Sequence, residues 1–291
     1  MNQIHIPVLL SEVISHLKPS EGETYLDLTA GYGGHADKIL EVTQNYKGAV
    51  LNDRDQNAIN FLEAKYKDVK PEIVHNDFYS TALQLVESKQ KFDMILADFG
   101  VSSPQLDRTE RGFSFSKEAR LDMRMDESQD LDAWEIVNHW SERKLAEIFE
   151  RYGEERNGRA EMLAREIVYN RPIDTTTQLA DLIKRKSPHT HTHPATKIFQ
   201  AIRIVVNDEL GEIERTLPLL PELLNPGGRV AIISFHSLED RLVKDYFRAE
   251  SDKGIESTLR IITKKPVVAE NLENVNNPRA RSAKLRVAEK I

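Results

Sequence analysis

Short apolar runs alternate with helical patterns through the first hundred residues, and this rhythm restricts the chain more than any other feature. "TYLDLTA" (24–30), "GAVLND" (48–53), "EIVHND" (72–77) and "FDMILADFG" (92–100) read as buried strands. Between them, "HADKILEVTQ" (35–44), "QNAINFLEAKY" (56–66) and "TALQLVESK" (81–89) read as helices. Such alternation argues an α/β fold, a parallel and doubly wound sheet with helices on both faces.

After Asp98 the rhythm stops. Residues from about 105 to 205 are polar and mainly helical in pattern, as in "DAWEIVNHWSERKLAEIFERYG" and "GRAEMLAREIVYNR". "TTTQLADLIKRK" has a threonine ahead of its apolar positions and resembles a capped helix. Strand and helix then return in "ELGEIERTLPLLPELL", "GGRVAIISF" (227–235) and "LEDRLVKDYFR", and "TLRIIT" and "AKLRVAEK" suit a closing antiparallel pair. The simplest account is a discontinuous domain, 1–105 with 206–291, interrupted by a helical domain over 106–205.

Gly31-Tyr32-Gly33-Gly34-His35-Ala36 lies between the first strand and the first helix. A turn this rich in glycine lets backbone approach a ligand and leaves N–H groups open at a helix start. It fits the loose dinucleotide pattern G-x-G-x-x-G/A, with Asp53 about 20 residues on. An acid there binds ribose hydroxyls in NAD enzymes and in S-adenosylmethionine enzymes alike, so the cofactor stays open at this point.

Asp98-Phe99-Gly100 is the magnesium-binding tripeptide of protein kinases, but its surroundings exclude one. The chain has no H-R-D loop, no V-A-I-K strand and no A-P-E segment. Its glycine loop leads into a helix, whereas the kinase loop joins two antiparallel strands. Asp98 instead ends the fourth strand, beside the switch point where α/β sheets bind ligands.

The net charge of −7 argues against indiscriminate nucleic-acid binding. From Arg241 onward, however, 12 Lys and Arg stand against 7 Asp and Glu, while the remainder holds 28 against 40. A basic tail on an acidic body suits a polyanion held at one place. The absence of cysteine rules out disulfides, thiolate metal sites and cysteine nucleophiles. No apolar run approaches the roughly 18 residues of a membrane span. The N-terminus lacks the layout of a secretory signal, so a cytoplasmic protein without membrane partners is expected.

Taken in order, "HIPVLLSEV", "YLDLTAGYGGHA", "DRDQNAI", "DFGVSSPQLD", "RGFSF", "LDMRMD", "YGEER", "FQAIRIVVNDEL", "ISFHSLEDRLVK" and "NPRARSAKLRVAEK" closely resemble the MraW/RsmH family nearly end to end. Members are S-adenosylmethionine-dependent methyltransferases acting on N4 of a cytosine in 16S rRNA of the small ribosomal subunit. The resemblance implies a Rossmann-like S-adenosylmethionine-dependent methyltransferase fold with an inserted helical domain that recognises substrate. It implies S-adenosyl-L-methionine as cofactor, bound by Gly33, Gly34, His35, Asp53, Phe78, Asp98 and Gln105. Asp98 is also the candidate acceptor for the target amine, and hence the catalytic residue.

"RGFSF", "LDMRMD" and "SFHSLEDR" are not explained by the cofactor. Arg111, Arg124, His236 and Arg241 are expected to face the RNA, while Phe113, Phe115, Met123 and Met125 divide between core and base stacking. Departures from the family are Phe99 for leucine, Asn52 for an aliphatic residue, and "KEARLDMRM" for a run like "GPLDMRM". In "HTHTHP" (189–194) only His193 fits the family, and alternate histidines in a polar loop are usually solvated, so no metal is expected. The small ribosomal subunit is the expected partner, and a homodimer stays open. Two other classes remain at this point. An NAD-dependent dehydrogenase would share the glycine loop and Asp53; a non-catalytic RNA-binding assembly factor would keep the basic tail.

Overall fold

A computed structural model describes residues 7–100, 108–187, 193–270, 273, 275 and 277–291. The chain divides into two compact units, one formed by 1–100 with 210–291 and the other by 101–209.

The first unit opens with helix α1 (Leu10–Leu17) and then alternates β1 (Tyr25–Asp27), α2 (Gly34–Thr43), β2 (Ala49–Asp53), α3 (Gln56–Lys65), β3 (Glu72–His75), α4 (Phe78–Glu87) and β4 (Phe92–Asp98). The second unit carries helices α5 (Ala133–His139), α6 (Glu142–Arg151), α7 (Asn157–Tyr169), α8 (Thr176–Arg185) and α9 (Ala195–Asn207). The chain continues through α10 (Glu209–Thr216) and α11 (Leu220–Leu223) to β5 (Leu224–Ser234), α12 (Ser237–Ser251), β6 (Leu259–Ile261) and β7 (Lys284–Lys290).

Among the described residues seven strands form one sheet in the order β3-β2-β1-β4-β5-β7-β6. Strands β1 to β5 are parallel, and β7 runs antiparallel to both β5 and β6. Because side chains alternate across a strand, neighbouring residues serve opposite cores. Tyr25, Met94, Leu96, Ala231 and Ile233 pack with Val13 and Leu17 of α1, Ile39 of α2 and Leu62 of α3. Leu26, Ile95, Ala97, Val230 and Ile232 pack with Leu85 of α4, Ile213 of α10 and Phe247 of α12. This double burial explains why the strands read as unbroken apolar runs. The sheet is therefore Rossmann-like, with helices on both faces. Strand β5 starts earlier than its apolar run suggests: Leu224 pairs with Phe92, and a register shift around Asn225–Gly228 precedes the regular ladder.

The closing pair exists, but β7 is an interior strand between β5 and β6, so the basic tail is not all available to a polyanion. Arg286 is buried on Asp240 of α12, with Nε 2.6 Å from Oδ1, and Lys284 Nζ lies 3.4 Å from Oδ2. Partial burial opposes ionisation of Asp240, yet its bonds and charge contact with Arg286 hold its carboxyl below the usual range. That pair contributes stability above the unfolded pKa of an aspartate and loses it as pH falls through the lower folded value. Arg286→Ala leaves the carboxylate with Lys284 alone and is expected to cost roughly 1.5–3 kcal/mol, read as a lower urea midpoint at pH 7. The deficit should shrink in strongly acidic solution. Arg281 remains exposed.

The second unit has its own core, into which Phe113, Leu121, Met123 and Met125 pack with Phe149 of α6, Leu163 of α7, Ile183 of α8 and Phe199 of α9. Thr175 caps α8 in a reciprocal capping box with Gln178, which confirms the threonine signal. No helix among the described residues is long and apolar enough to cross a membrane.

Candidate functional site

The carboxyl ends of β1, β2 and β4 bring three acids, Asp27, Asp53 and Asp98, to one edge of the first unit's sheet, next to the start of α2. Gly33 caps that helix with φ of 76°, a left-handed conformation that glycine adopts without strain. A Cβ there would lie 3.0 Å from Tyr66 Oη and 3.1 Å from Leu62 Cδ2, and one at Gly34 would lie 2.5 Å from Pro7 Cγ. Neither position admits a larger residue as it stands. The loop is held from below by Asp37 in the first turn of α2. Its carboxylate accepts from Lys65 Nζ at 2.5 Å and from Tyr66 Oη at 2.7 Å, while Lys65 also donates to Tyr32 O at 3.2 Å. His35 is buried, and its Nε2 lies 2.9 Å from Val8 O. Its ring thus serves the protein, which leaves the backbone of this turn as the part able to meet a ligand.

Asp53 receives the Gly31 N–H on Oδ2 and the Asp55 N–H on Oδ1, each at 2.8 Å. Burial pushes its pKa up to about 6, with those two bonds opposing the rise. Asp27 receives Tyr25 Oη at 2.7 Å and the Thr29 N–H at 3.1 Å, and burial pushes it up to about 7. Asp98 is different. Its N–H donates to Thr29 Oγ1 at 2.6 Å, but Oδ1 is buried and accepts no hydrogen bond among the described residues. Burial, and then the charges of Asp27 and Glu239, raise its pKa well above the carboxylate range. A buried acceptor without a partner is expensive unless a ligand supplies the donor.

Phe78 opens α4 behind its cap Asp77, and its ring lies 5.4 Å from that of Phe99 at an angle of 35°. The phenylalanine at 99 is buried in the core and backs the half-buried ring of Phe78, which stands at the ligand edge. Asn52, the other departure in this region, turns inward: Nδ2 donates to Leu28 O and Oδ1 accepts from Thr81 Oγ1. It ties β2 to α4 and does not line the ligand edge through either polar atom. Together these groups can hold a cationic ligand that carries hydroxyls and a flat ring: carboxylates for charge and hydroxyls, an aromatic face for the ring.

Of the expected cofactor residues, the first unit gathers Gly33, Gly34, His35, Asp53, Phe78 and Asp98 within its own sheet edge, and Gln105 lies outside the described residues. Sequence reasoning misses two members. Asp27 stands as a charge inside an otherwise apolar run, a signal visible in "YLDLTA". Glu239 is wholly buried and accepts from the Phe235 and His236 N–H groups at 2.7 and 3.2 Å. Its burial depends on a turn no sequence pattern announces.

The four residues assigned to RNA fare differently. Arg111 is only 5% exposed, and its Nη2 donates to Arg124 O and Met125 O, both at 2.9 Å. Arg124 grips Asp122 through Nε and Nη2 and donates from Nη1 to Glu127 O and Gln129 O. Both guanidinium groups brace the "LDMRMD" loop, which Asn207 also clips by accepting from Met125 N and donating to Met123 O. The expected outward face is thus corrected for Arg111, while Arg124 remains about 20% exposed with its donors engaged in the loop. His236 is the N-cap of α12, its side chain receiving the Glu239 N–H in a reciprocal capping box. Arg241 is exposed on the same helix. Phe113, Met123 and Met125 are core, and the half-buried Phe115 stacks on His193 with ring centres 4.6 Å apart. His193 accepts the Ala195 N–H, while His189 and His191 lie outside the described residues.

The sequence profile of the MraW methylase family matches residues 2–291. Three curated relatives carry the name Ribosomal RNA small subunit methyltransferase H. That of Synechocystis sp. (strain ATCC 27184 / PCC 6803 / Kazusa) is 48% identical over 298 residues, covering 99% of this chain and 93% of its own. That of Nostoc sp. (strain PCC 7120 / SAG 25.82 / UTEX 2576) is 48% identical over 297 residues, covering 98% and 92%. That of Cyanothece sp. (strain PCC 7425 / ATCC 29141) is 48% identical over 291 residues, covering 99% and 95%.

Proposed function

This chain belongs to the MraW methylase family, and from that premise we propose that it methylates the N4 amine of a cytosine in 16S rRNA of the small ribosomal subunit. It is a methyltransferase of ribosomal RNA that uses S-adenosyl-L-methionine. Membership removes the dehydrogenase alternative, and the site speaks against a purely non-catalytic assembly factor. The observation that carries the reading is Asp98 Oδ1, a buried acceptor with no partner among the described residues, at the end of β4.

The residues present fit the cofactor. Asp53 suits the ribose diol, Phe78 the adenine face, and the Gly33–Gly34 turn with the backbone of His35 the amino-acid end; Gln105, which family resemblance adds to the set, lies outside the described residues. S-adenosyl-L-methionine supplies an electrophilic methyl group on a positively charged sulfur. The cytosine amine is a weak nucleophile because its lone pair is delocalised into the ring. The chain's task is therefore to hold that amine in line and accept its hydrogen bonds, a catalysis of positioning and charge. Asp98 is assigned that acceptor role. The helical unit is assigned substrate recognition, and the cytoplasm, where ribosomal subunits are assembled, is the inferred location.

Mapping modified nucleosides by mass spectrometry in small-subunit rRNA, with and without this protein, tests the reading. Loss of one N4-methyl mark on its removal is the expected result, and an unchanged map rejects it.

The acids also set a pH dependence. A cationic ligand whose hydroxyls donate to carboxylates favours their ionised forms, so binding lowers the raised pKa values and releases protons. Affinity should increase as pH rises through about 6 at Asp53 and about 7 at Asp27. If only ionised Asp53 binds, the loss between pH 7 and 5 is about tenfold. Calorimetry in buffers of different ionisation enthalpy reads the protons directly; proton uptake near pH 6 would contradict the assignment.

A further inference from the structure

Among its described residues the helical unit has a stretch where cations stand without ion pairs close in sequence to a bare aromatic ring. A cleft of about 450 Å³ is lined by Asn170, Pro172, Ile173, Gln178, Asp181 and Leu182 together with Lys184 and Arg185 of α8. Lys184 and Arg185 are exposed and form no ion pair among the described residues. Their neighbours do: Lys186 pairs with Glu166 at 2.9 Å, Arg165 with Glu142 at 3.3 Å, and Arg143 with Glu147 at 2.9 Å. Asp181 lines the same cleft without pairing to either cation, so the excess there is one positive charge. Tyr169 ends α7 immediately before Asn170 and is 85% exposed. No other large hydrophobic side chain described in this unit is comparably bare.

Part of this has a local cause, since Lys184 and Arg185 complement the carbonyl end of α8. That cause does not account for the cleft or for an aromatic ring left in water on the residue that precedes its lining residue Asn170. We infer that this face is a docking point for a single-stranded segment of the RNA substrate, with phosphate at Lys184 and Arg185 and a base stacked on Tyr169. The inference rests on the rRNA reading and adds to it the surface that grips. An aromatic face beside a cationic groove is the general recipe for holding unpaired nucleotides, because every base has a π-face. In a chain of net charge −7, such a grip requires a local positive patch.

The test uses the full chain, purified small subunits and radiolabelled methyl donor. The double variant Lys184→Gln/Arg185→Gln and the single variant Tyr169→Ala should each raise KM for the subunit about tenfold, with kcat and donor affinity unchanged. Tyr169→Phe should restore the wild-type KM, because stacking needs the ring and not the hydroxyl. The double variant should also show a dependence of log KM on log salt that is shallower by about 1.4, since each phosphate it no longer neutralises removes about 0.7 from the slope. An unchanged KM overturns the proposal. So does a raised KM with the full salt slope, which points to a ribosomal protein as the contact. If the wild-type chain transfers no methyl to subunits, the functional reading fails. The docking surface is then decided separately by filter binding of the same variants to a single-stranded oligoribonucleotide, where equal affinity for all rejects it.

Discussion

Asp98→Asn is expected to slow methyl transfer at least about a hundredfold while S-adenosyl-L-methionine still binds within about tenfold of the wild-type affinity. As the amine is methylated its nitrogen gains positive charge, and Asp98, ionised once the bound cationic donor lowers its raised pKa, stabilises that change. Asparagine keeps the size and one acceptor oxygen but removes the charge. Single-turnover kinetics at saturating donor and subunit isolate the chemical step. A near-normal rate would falsify the electrostatic role, and a defect confined to donor affinity would reduce Asp98 to a binding residue. The variant should also fold well. An acid whose folded pKa is raised makes the native state less stable as pH climbs from its unfolded value toward the folded one. Asn removes that loss, so its melting temperature at pH 7 should equal or exceed the wild-type value. Added magnesium should restore nothing, since this Asp-Phe-Gly ends a parallel strand and binds no metal in the proposed mechanism.

Asp53→Ala should weaken donor binding by roughly 2–4 kcal/mol, the worth of two charge-assisted bonds to the ribose hydroxyls. The same substitution releases the Gly31 and Asp55 N–H groups, so the glycine turn loses its tether as well. Asp53→Asn separates the two effects, because its single carbonyl oxygen can retain one of the backbone bonds. A calorimetric affinity unchanged in the alanine variant would remove Asp53 from the pocket. Tight binding of NAD by the wild-type chain would reopen a question that family membership otherwise closes.

The fold is legible where burial is two-sided. Runs such as "MILA" in β4 lie between two cores, so composition alone marks them as strand. The β5 start is not legible, because the Asn225–Gly228 irregularity reads as a turn and still joins the ladder. Within the site, glycines and the acid after β2 carry local signatures that survive in sequence. Asp98 needs its surroundings to distinguish it from a kinase residue. Asp27 escapes notice because the apolar run around it announces only a strand. Arg111 shows the opposite error: an arginine in a motif suggests a ligand, yet this one is buried and its donors go to carbonyls of one loop. Arg286 repeats the lesson in the tail, where a basic residue faces Asp240 of α12.

The placement of β7 also bears on how the chain becomes folded. β4 ends at Asp98 and β5 begins at Leu224, so the pairing that completes the ligand edge waits for the whole helical unit to be made. The delay itself is cheap, since each doubling of an intervening loop adds only about 0.6 kcal/mol, and an insert that has already folded shortens the effective loop. The hazard lies later. Until Lys284–Lys290 emerges, β6 has no ladder neighbour and β5 presents a bare strand edge, the kind of edge that recruits other unfinished chains. During synthesis, aggregation should therefore be greatest between the appearance of Ser234 and that of Lys290, and a chaperone that shields strand edges would act in that interval.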